Sequence, residues 1–286
     1  NRYGVKSTEP GDAFSDMFRP GNQRRSQGNT EVIWNFEIVN RRDIPNSIGG
    51  DPQQRRVWGC GYHNIPGMVP ADSLGGRGIS RIRLNNWVLY GLYPPGDMRN
   101  SKYSIKREFW YNDVTKPTFG QKVNPAPADT LFRMHPYTLK WGHFDPLDAF
   151  GYAMYKDLPL MRLGETYLLL AEAQLRQSHP DEAATSINEL RTRANAPTVD
   201  AADIDLDFIL DERARELIGE ENRRLTLMRT GTLYERIVSR NPPVGNSSID
   251  VTGMEVLQGG EKLYLPIPQS EIDLNKDADL GQNQGY

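Results

Sequence analysis

The sequence predicts a mainly α chain, in which a tetratricopeptide-like helical hairpin adjoins a loop-rich region with short strands. Three observations predict it. "ETYLLLAEAQLRQSHPDEAATSINELRTRA" (165–194) has apolar residues at helical spacing on both sides of a Ser178-His179-Pro180-Asp181 turn. Helical periodicity continues at about 204–220 and 223–237. Residues 1–158, by contrast, are rich in Gly, Pro, Asn and aromatics and show little of it.

Taken in chain order, the first half offers two strand-like runs, "TEVIWNFEIV" (30–39) and "KYSIKREFWY" (102–111). The alternation around Trp34, with Val32, Ile33 and Phe36 as neighbours, predicts that its ring packs inward, and Trp110 is expected in the core as well. The glycines of "GGRG" (75–78) mark a turn. Helices are expected at about 160–177 and 181–195. Pro180 suits the first helical position, and Asp181 and Glu182 suit the positive end of the helix dipole. Loops return at "SRNPPVGNSS" (239–248), and "LYLPIP" (263–268) reads as an extended piece stopped by proline.

Tetratricopeptide pairs place small residues where two helices touch. Ala171 and Ala183 fit those positions, with Leu170, Ile187 and Leu190 around them, although a plain helical hairpin needs the same small residues. A step of 34 residues reaches Asp205 in an acidic loop, so no second copy follows. One repeat cannot bury its apolar face alone. Its neighbours are therefore expected upstream of Asn1, and the helices from 160 to 195 are expected to expose an apolar face in this chain.

Charge and cysteine content narrow the function. With 34 basic and 37 acidic residues the net charge is −3, and there is no basic block of the kind that binds nucleic acid. The pairs Arg24-Arg25, Arg41-Arg42 and Arg55-Arg56 read as solvated surface. Cys60 is the sole cysteine, which excludes an internal disulfide or a CxxC site. His63, His135, His143 and His179 lack zinc-ligand spacing, and no GxSxG or phosphate-binding glycine loop occurs. Asp97 and Asp113 are the carboxylate pair to examine for glycoside hydrolysis, but turn formation and pairing with arginine explain them better. The sequence requires neither metal nor cofactor, and no enzymatic activity is expected.

Three segments occur in a telling order: "PLMRLGETYLLLAEAQ", "ILDERARELIGEENRRLTLMRTG" and "LYLPIPQSEIDLNKDADLGQNQGY". Together they resemble the C-terminal signatures of the SusD/RagB family, nutrient-binding lipoproteins of the Gram-negative outer membrane. "TEVIWNFEI" also resembles the strand that precedes the family's variable binding loops. Two departures are local: "QNQGY" lacks the Pro usual before the final Gly-Tyr, and Arg224 stands where an aromatic often sits. The resemblance implies an α/α superhelix and divides the chain into a loop-rich, ligand-binding region (1–158) and a SusD/RagB-type C-terminal helical region (159–286). It also implies that the N-terminal helical repeats and the lipid anchor are absent from this chain. It further implies an oligosaccharide or peptide ligand, a SusC-like TonB-dependent transporter as partner, and a location at the outer-membrane surface. A tetratricopeptide adaptor that binds another protein is the alternative of a different class.

Charged residues of "ERARELIGEENRR" alternate at helical spacing, Glu212 with Arg215 for example, and read as structural. For the ligand, sugar rings present apolar C–H faces edged with hydroxyls, so flat amphipathic side chains with hydrogen-bonding neighbours suit them. "RRVWGCGYHN" (55–64) supplies Trp58, Tyr62, His63 and Asn64. "NNWVLYGLYPPGDMRN" (85–100) adds Asn86, Trp87, Tyr90, Tyr93 and Arg99. Trp58, in a loop beside Gly59 and Gly61, is expected to present its ring to solvent.

Overall fold

The α-helical hairpin forms as its periodicity dictates. α2 (Leu163–Arg176) and α3 (Pro180–Arg193) lie antiparallel, joined by a turn in which Ser178 takes a left-handed conformation (φ 63°). Ala171 and Ala183 are fully buried between them with Ile187, and α4 (Leu206–Leu217) closes the cluster with Ile209. Leu168, Leu190 and Leu217 form a second buried contact among the same helices. Leu170 departs from the expected packing position: it is exposed beside Leu169, so α2 does carry an uncovered apolar stripe. The computed structural model describes residues 2–46, 52–142, 145, 147–148, 150–241 and 260–286. His143 and residues 242–248 of the predicted loop lie outside these.

Contacts divide the chain into two units. The first comprises Asn1–Leu84 and Val88–Glu220, so it runs through residue 158 without a break. In it β1 (Val32–Phe36) pairs antiparallel with β4 (Leu158–Arg162), which leads directly into α2. The register slips on both sides of Trp34, and such bulges re-aim side chains. This corrects the expectation for Trp34: its ring is 62% exposed, next to exposed Ile33 and Phe36, and only Val32 of the strand is buried. Trp110 is likewise 44% exposed and forms only an isolated bridge with Lys122. The run 102–111 contributes the two-residue β2 (Ile105–Lys106), paired with β3 (Tyr137–Thr138).

The loop-rich part of this unit has its own cores. Cys60, Tyr62, Met68, Phe109 and Tyr137 pack together, and Leu84, Leu89 and Ile105 form another cluster. The short helix α1 (Gln54–Trp58) precedes both in sequence, and its last residue, Trp58, packs on the second.

Beneath the hairpin lies a sealed set of ion pairs. Arg99 donates to Glu212 Oε1 at 2.6 Å, to Glu216 Oε2 at 3.2 Å and to Asp97 Oδ2 at 2.8 Å, with no exposure of any of the four side chains. Arg191 and Arg215 each donate to Glu212 Oε2 at 2.8 Å, and Arg193 to Glu216 Oε1 at 2.6 Å. Arg162 bridges Glu216 and Glu220, and Lys140 pairs with Glu220. Burial alone raises the Glu216 carboxyl, but Arg193, Arg162 and Arg99 overcome it and hold the group well below the usual range. The predicted pair of Glu212 and Arg215 is thus one link of a network that ties α3 and α4 to the loops.

The second unit, Asn85–Trp87 with Glu221–Tyr286, contains α5 (Arg223–Arg229), α6 (Leu233–Arg240) and α7 (Gln269–Leu274). The single helix expected at 223–237 is broken at Gly231, whose φ of 71° no helix interior allows. Arg224 donates to the carbonyls of Lys262 and Leu263 at 3.1 and 2.9 Å, fastening the extended segment before α7. Among the described residues no helix is long and apolar enough to cross a membrane.

Candidate functional site

The region that can meet a ligand is built from loops held by backbone contacts. α1 ends at Gly59, and the segment that follows the glycine turn runs back along it. Ile79 N donates to Arg56 O, and Arg81 N to Val57 O, both at 2.9 Å. Arg77 N donates to Phe150 O at 2.7 Å, which brings in the loop "FGYAMY" (150–155). Gly76 and Gly151 meet back to back. A Cβ on Gly151 would stand 2.4 Å from Gly76 Cα, and one on Gly76 2.6 Å from Gly151 O, so neither position admits a side chain.

This crossing places Tyr152 beside two arginines. The Arg56 guanidinium lies 4.4 Å from its ring centroid, and Arg77 Nη1 donates to its hydroxyl at 2.5 Å. Phe150, 57% exposed, is tilted toward it at 6.1 Å. On Tyr152 opens a groove of about 300 Å³, lined also by Tyr155, Arg41, Arg42, Asp145 and Asp148. Asp145 pairs with Arg42 and accepts from Leu147 N, while Asp148 accepts from Ala153 N at 3.0 Å. Both carboxylates therefore brace the loop. Open, partly apolar and edged with planar hydrogen-bonding groups, the groove suits a polar ligand with apolar faces.

The residues singled out from sequence are distributed differently from expectation. Tyr62 is 1% exposed, stacked on Phe109 with ring centroids 6.0 Å apart; its hydroxyl donates to Ala71 O and accepts from Ala71 N, so it is a core residue. Arg99, equally buried, belongs to the ionic network. Trp58 and Tyr93 are half-buried and pack on the cluster of Leu84, Leu89 and Ile105, with the Tyr93 hydroxyl donating to Arg215 O at 3.3 Å. The glycines near Trp58 serve α1's end and the close backbone approach to Gly78, not ring exposure. Asn64 and Tyr90 are exposed, Tyr90 at 75%, and His63 partly so. In the second unit Asn86 is exposed, and Trp87 is half-buried with the Arg240 guanidinium 5.3 Å from its ring centroid. Asp97 caps a turn through Arg99 N and pairs with the Arg99 side chain; Asp113 accepts from Thr115.

Sequence reasoning missed Tyr152, Tyr155 and the groove arginines. The available signal was three aromatics within six residues around one glycine at 150–155, and the Arg41-Arg42 and Arg55-Arg56 pairs that were set aside as surface.

The sequence profile of the SusD family matches residues 103–286, well over half of the chain. The chain belongs to the SusD family. The starch-binding protein SusD of Bacteroides thetaiotaomicron is 37% identical over 130 residues, 46% of this chain and 22% of that protein. A SusD-like protein of Formosa agariphila is 24% identical over 96% of this chain and 52% of its own length. Surface glycan-binding protein A of B. thetaiotaomicron, solved in complex with laminarihexaose, shares the fold with a TM-score of 0.62 and 22% identity, over 98% of this chain and 57% of that one. The chain thus spans about half the length of the relatives it matches along nearly all of its own. The mainly α, tetratricopeptide-like fold read from the hairpin is that of the SusD family.

Proposed function

We propose that this chain captures an oligosaccharide at the cell surface without hydrolysing it, and that it delivers the ligand to a TonB-dependent outer-membrane transporter. The observation that carries the reading is the open groove on Tyr152 and Tyr155, where rings and planar polar groups stand together in loops of the 1–158 region. Relatives named for starch and glycan binding support it. Against hydrolysis, Asp97 and Asp113 are engaged in turns and Asp145 and Asp148 in bracing their loop, so none of the four is placed as a free acid or base. His63, Asn64 and Tyr90 remain candidates for further ligand contacts, as do Asn86 and Trp87 within the second unit.

Calorimetric titration with a panel of oligosaccharides tests the binding. Tyr152→Ala is expected to weaken the best ligand by about 1–3 kcal/mol, roughly tenfold to a hundredfold, with the melting temperature nearly unchanged. No reducing ends should appear on prolonged incubation. Retention of a peptide, with every glycan ignored, would sink the glycan reading. Co-purification of the full-length protein with a membrane transporter tests delivery, and retrieval of a soluble partner instead would favour the adaptor alternative.

A further inference from the structure

The stretch that meets Tyr152 beside the groove carries an unusual charge. From Pro52 to Gly96 the chain has five arginines and one acid, Asp72, in a protein whose net charge is −3. Asp72 pairs with buried Arg55. Among the described residues, Arg56 and Arg77 have no carboxylate within ion-pairing distance. Arg56 donates to Gln53 Oε1 at 2.6 Å and to Arg77 O at 3.1 Å, and Arg77 to the Tyr152 hydroxyl. Burial chiefly, then Arg77 and Arg56, push the half-exposed His63 imidazole below its ordinary proton affinity, which registers the positive field at this surface. The Nδ1 atom of His63 is buried and has no hydrogen-bond partner among the described residues.

A neutral sugar needs no such charge. Hydroxyls are served by amides and single N–H groups, whereas a guanidinium fork matches the paired oxygens of a carboxylate or sulfate. Its place over the Tyr152 ring and its bonds to Gln53 and to the Arg77 carbonyl hold the Arg56 guanidinium before any ligand arrives, which lowers the ordering cost of binding. Exposed Phe150 supplies an apolar face alongside.

On the glycan reading above, we infer that the surface around Tyr152, where it adjoins the groove, takes an anionic oligosaccharide, whose sugars carry carboxylate or sulfate groups, with Arg56 and Arg77 on the anionic substituent and Phe150 and Tyr152 against the ring. The experiment is calorimetry on the full chain with four probes: a uronate oligosaccharide, a sulfated oligosaccharide, neutral laminarihexaose and poly-glutamate. Each is titrated at low and at elevated salt. One of the two anionic glycans should bind at least about tenfold tighter than the neutral one and weaken several-fold with salt, and which of them does so identifies the substituent. Arg77→Gln, at an exposed position, should cut that affinity about tenfold and neutral binding less than about twofold, and Arg77→Lys should recover part of the loss. Equal or tighter binding of laminarihexaose overturns the anionic assignment and leaves glycan capture standing. Poly-glutamate binding as tight as that of either anionic glycan also overturns it, because the patch then reads charge alone. Binding of no glycan overturns both readings.

Discussion

Two groups of arginines in the first unit have opposite environments. Arg99, Arg162, Arg191 and Arg193 are sealed beneath the hairpin, each matched by Glu212, Glu216 or Glu220. Arg56 and Arg77 lie on Tyr152 beside the groove, with aromatic and carbonyl partners but no acid among the described residues. A buried charge must be matched within the fold, because losing one partner strands the other away from water. A surface charge is already hydrated and is available to a ligand. The difference teaches that, in this protein, the location of an arginine's counter-charge separates structural from functional candidates better than the arginine's sequence context does.

The sharpest way to break that division is at Glu216. Glu216→Gln should destabilise the protein by about 3–5 kcal/mol in chemical denaturation, since Arg162, Arg193 and Arg99 all lose their shared partner. The same carboxylate predicts acid sensitivity. Its folded value lies below the unfolded one, so its stabilisation is complete above about pH 4.5 and is lost as pH falls further, through the folded value. In Glu216→Gln that part of the acid transition should be missing.

Aromatic residues follow the same division. Trp58→Ala should cost about 2 kcal/mol, because the ring packs on Leu84, Leu89 and Ile105, whereas Trp34→Ala should cost less than about 1 kcal/mol in this chain. Thermal melts of the two variants decide it, and a larger loss at Trp34 would mean that its ring is covered in solution.

Lys156 sharpens the comparison from another side. Its ammonium is buried on the carbonyls of Lys140 and Gly142, at 2.5 and 2.8 Å, and burial, with Arg55 nearby, pushes it down to about 7. The unfolded chain keeps that proton up to about pH 10.4, so stability should rise between pH 7 and 10, on the order of 1 kcal/mol per pH unit. Lys156→Met should lose its share of the rise in denaturation measured across the range and keep the part that comes from Lys140, whose ammonium burial lowers to about 8. The smallest effect belongs to the groove: Arg77→Gln should change stability by no more than about 0.5 kcal/mol while altering ligand affinity.

The hairpin was legible because its information is local. Spacing, a proline at the first helical position and two alanines specify α2 and α3 without reference to the rest of the chain. The loops were not legible, because distant backbone partners set them: Gly61 N reaches Phe132 O, and Met154 N reaches Pro52 O. Tyr62 shows the consequence. Nothing beside it in sequence announces that Ala71 will satisfy its hydroxyl, and that contact lets it sink into the core. Trp34 misled for a related reason, since period-two alternation assumes an unbroken register and β1 slips twice. At the groove, Arg56 was noticed only as half of a surface pair, and its meeting with Tyr152 joins residues about a hundred positions apart.

The crossing of Gly76 and Gly151 sets two backbones in direct contact, with the buried Arg55 guanidinium alongside. Because the side chains of Phe150, Tyr152, Arg56 and Arg77 take no part in that joint, they can be exchanged around it without moving the frame, in the way type is reset in a fixed forme. Selection, or a designed library restricted to those four positions, can therefore retune ligand preference while the scaffold's stability stays nearly constant. The two glycines themselves are the positions such a library must leave untouched.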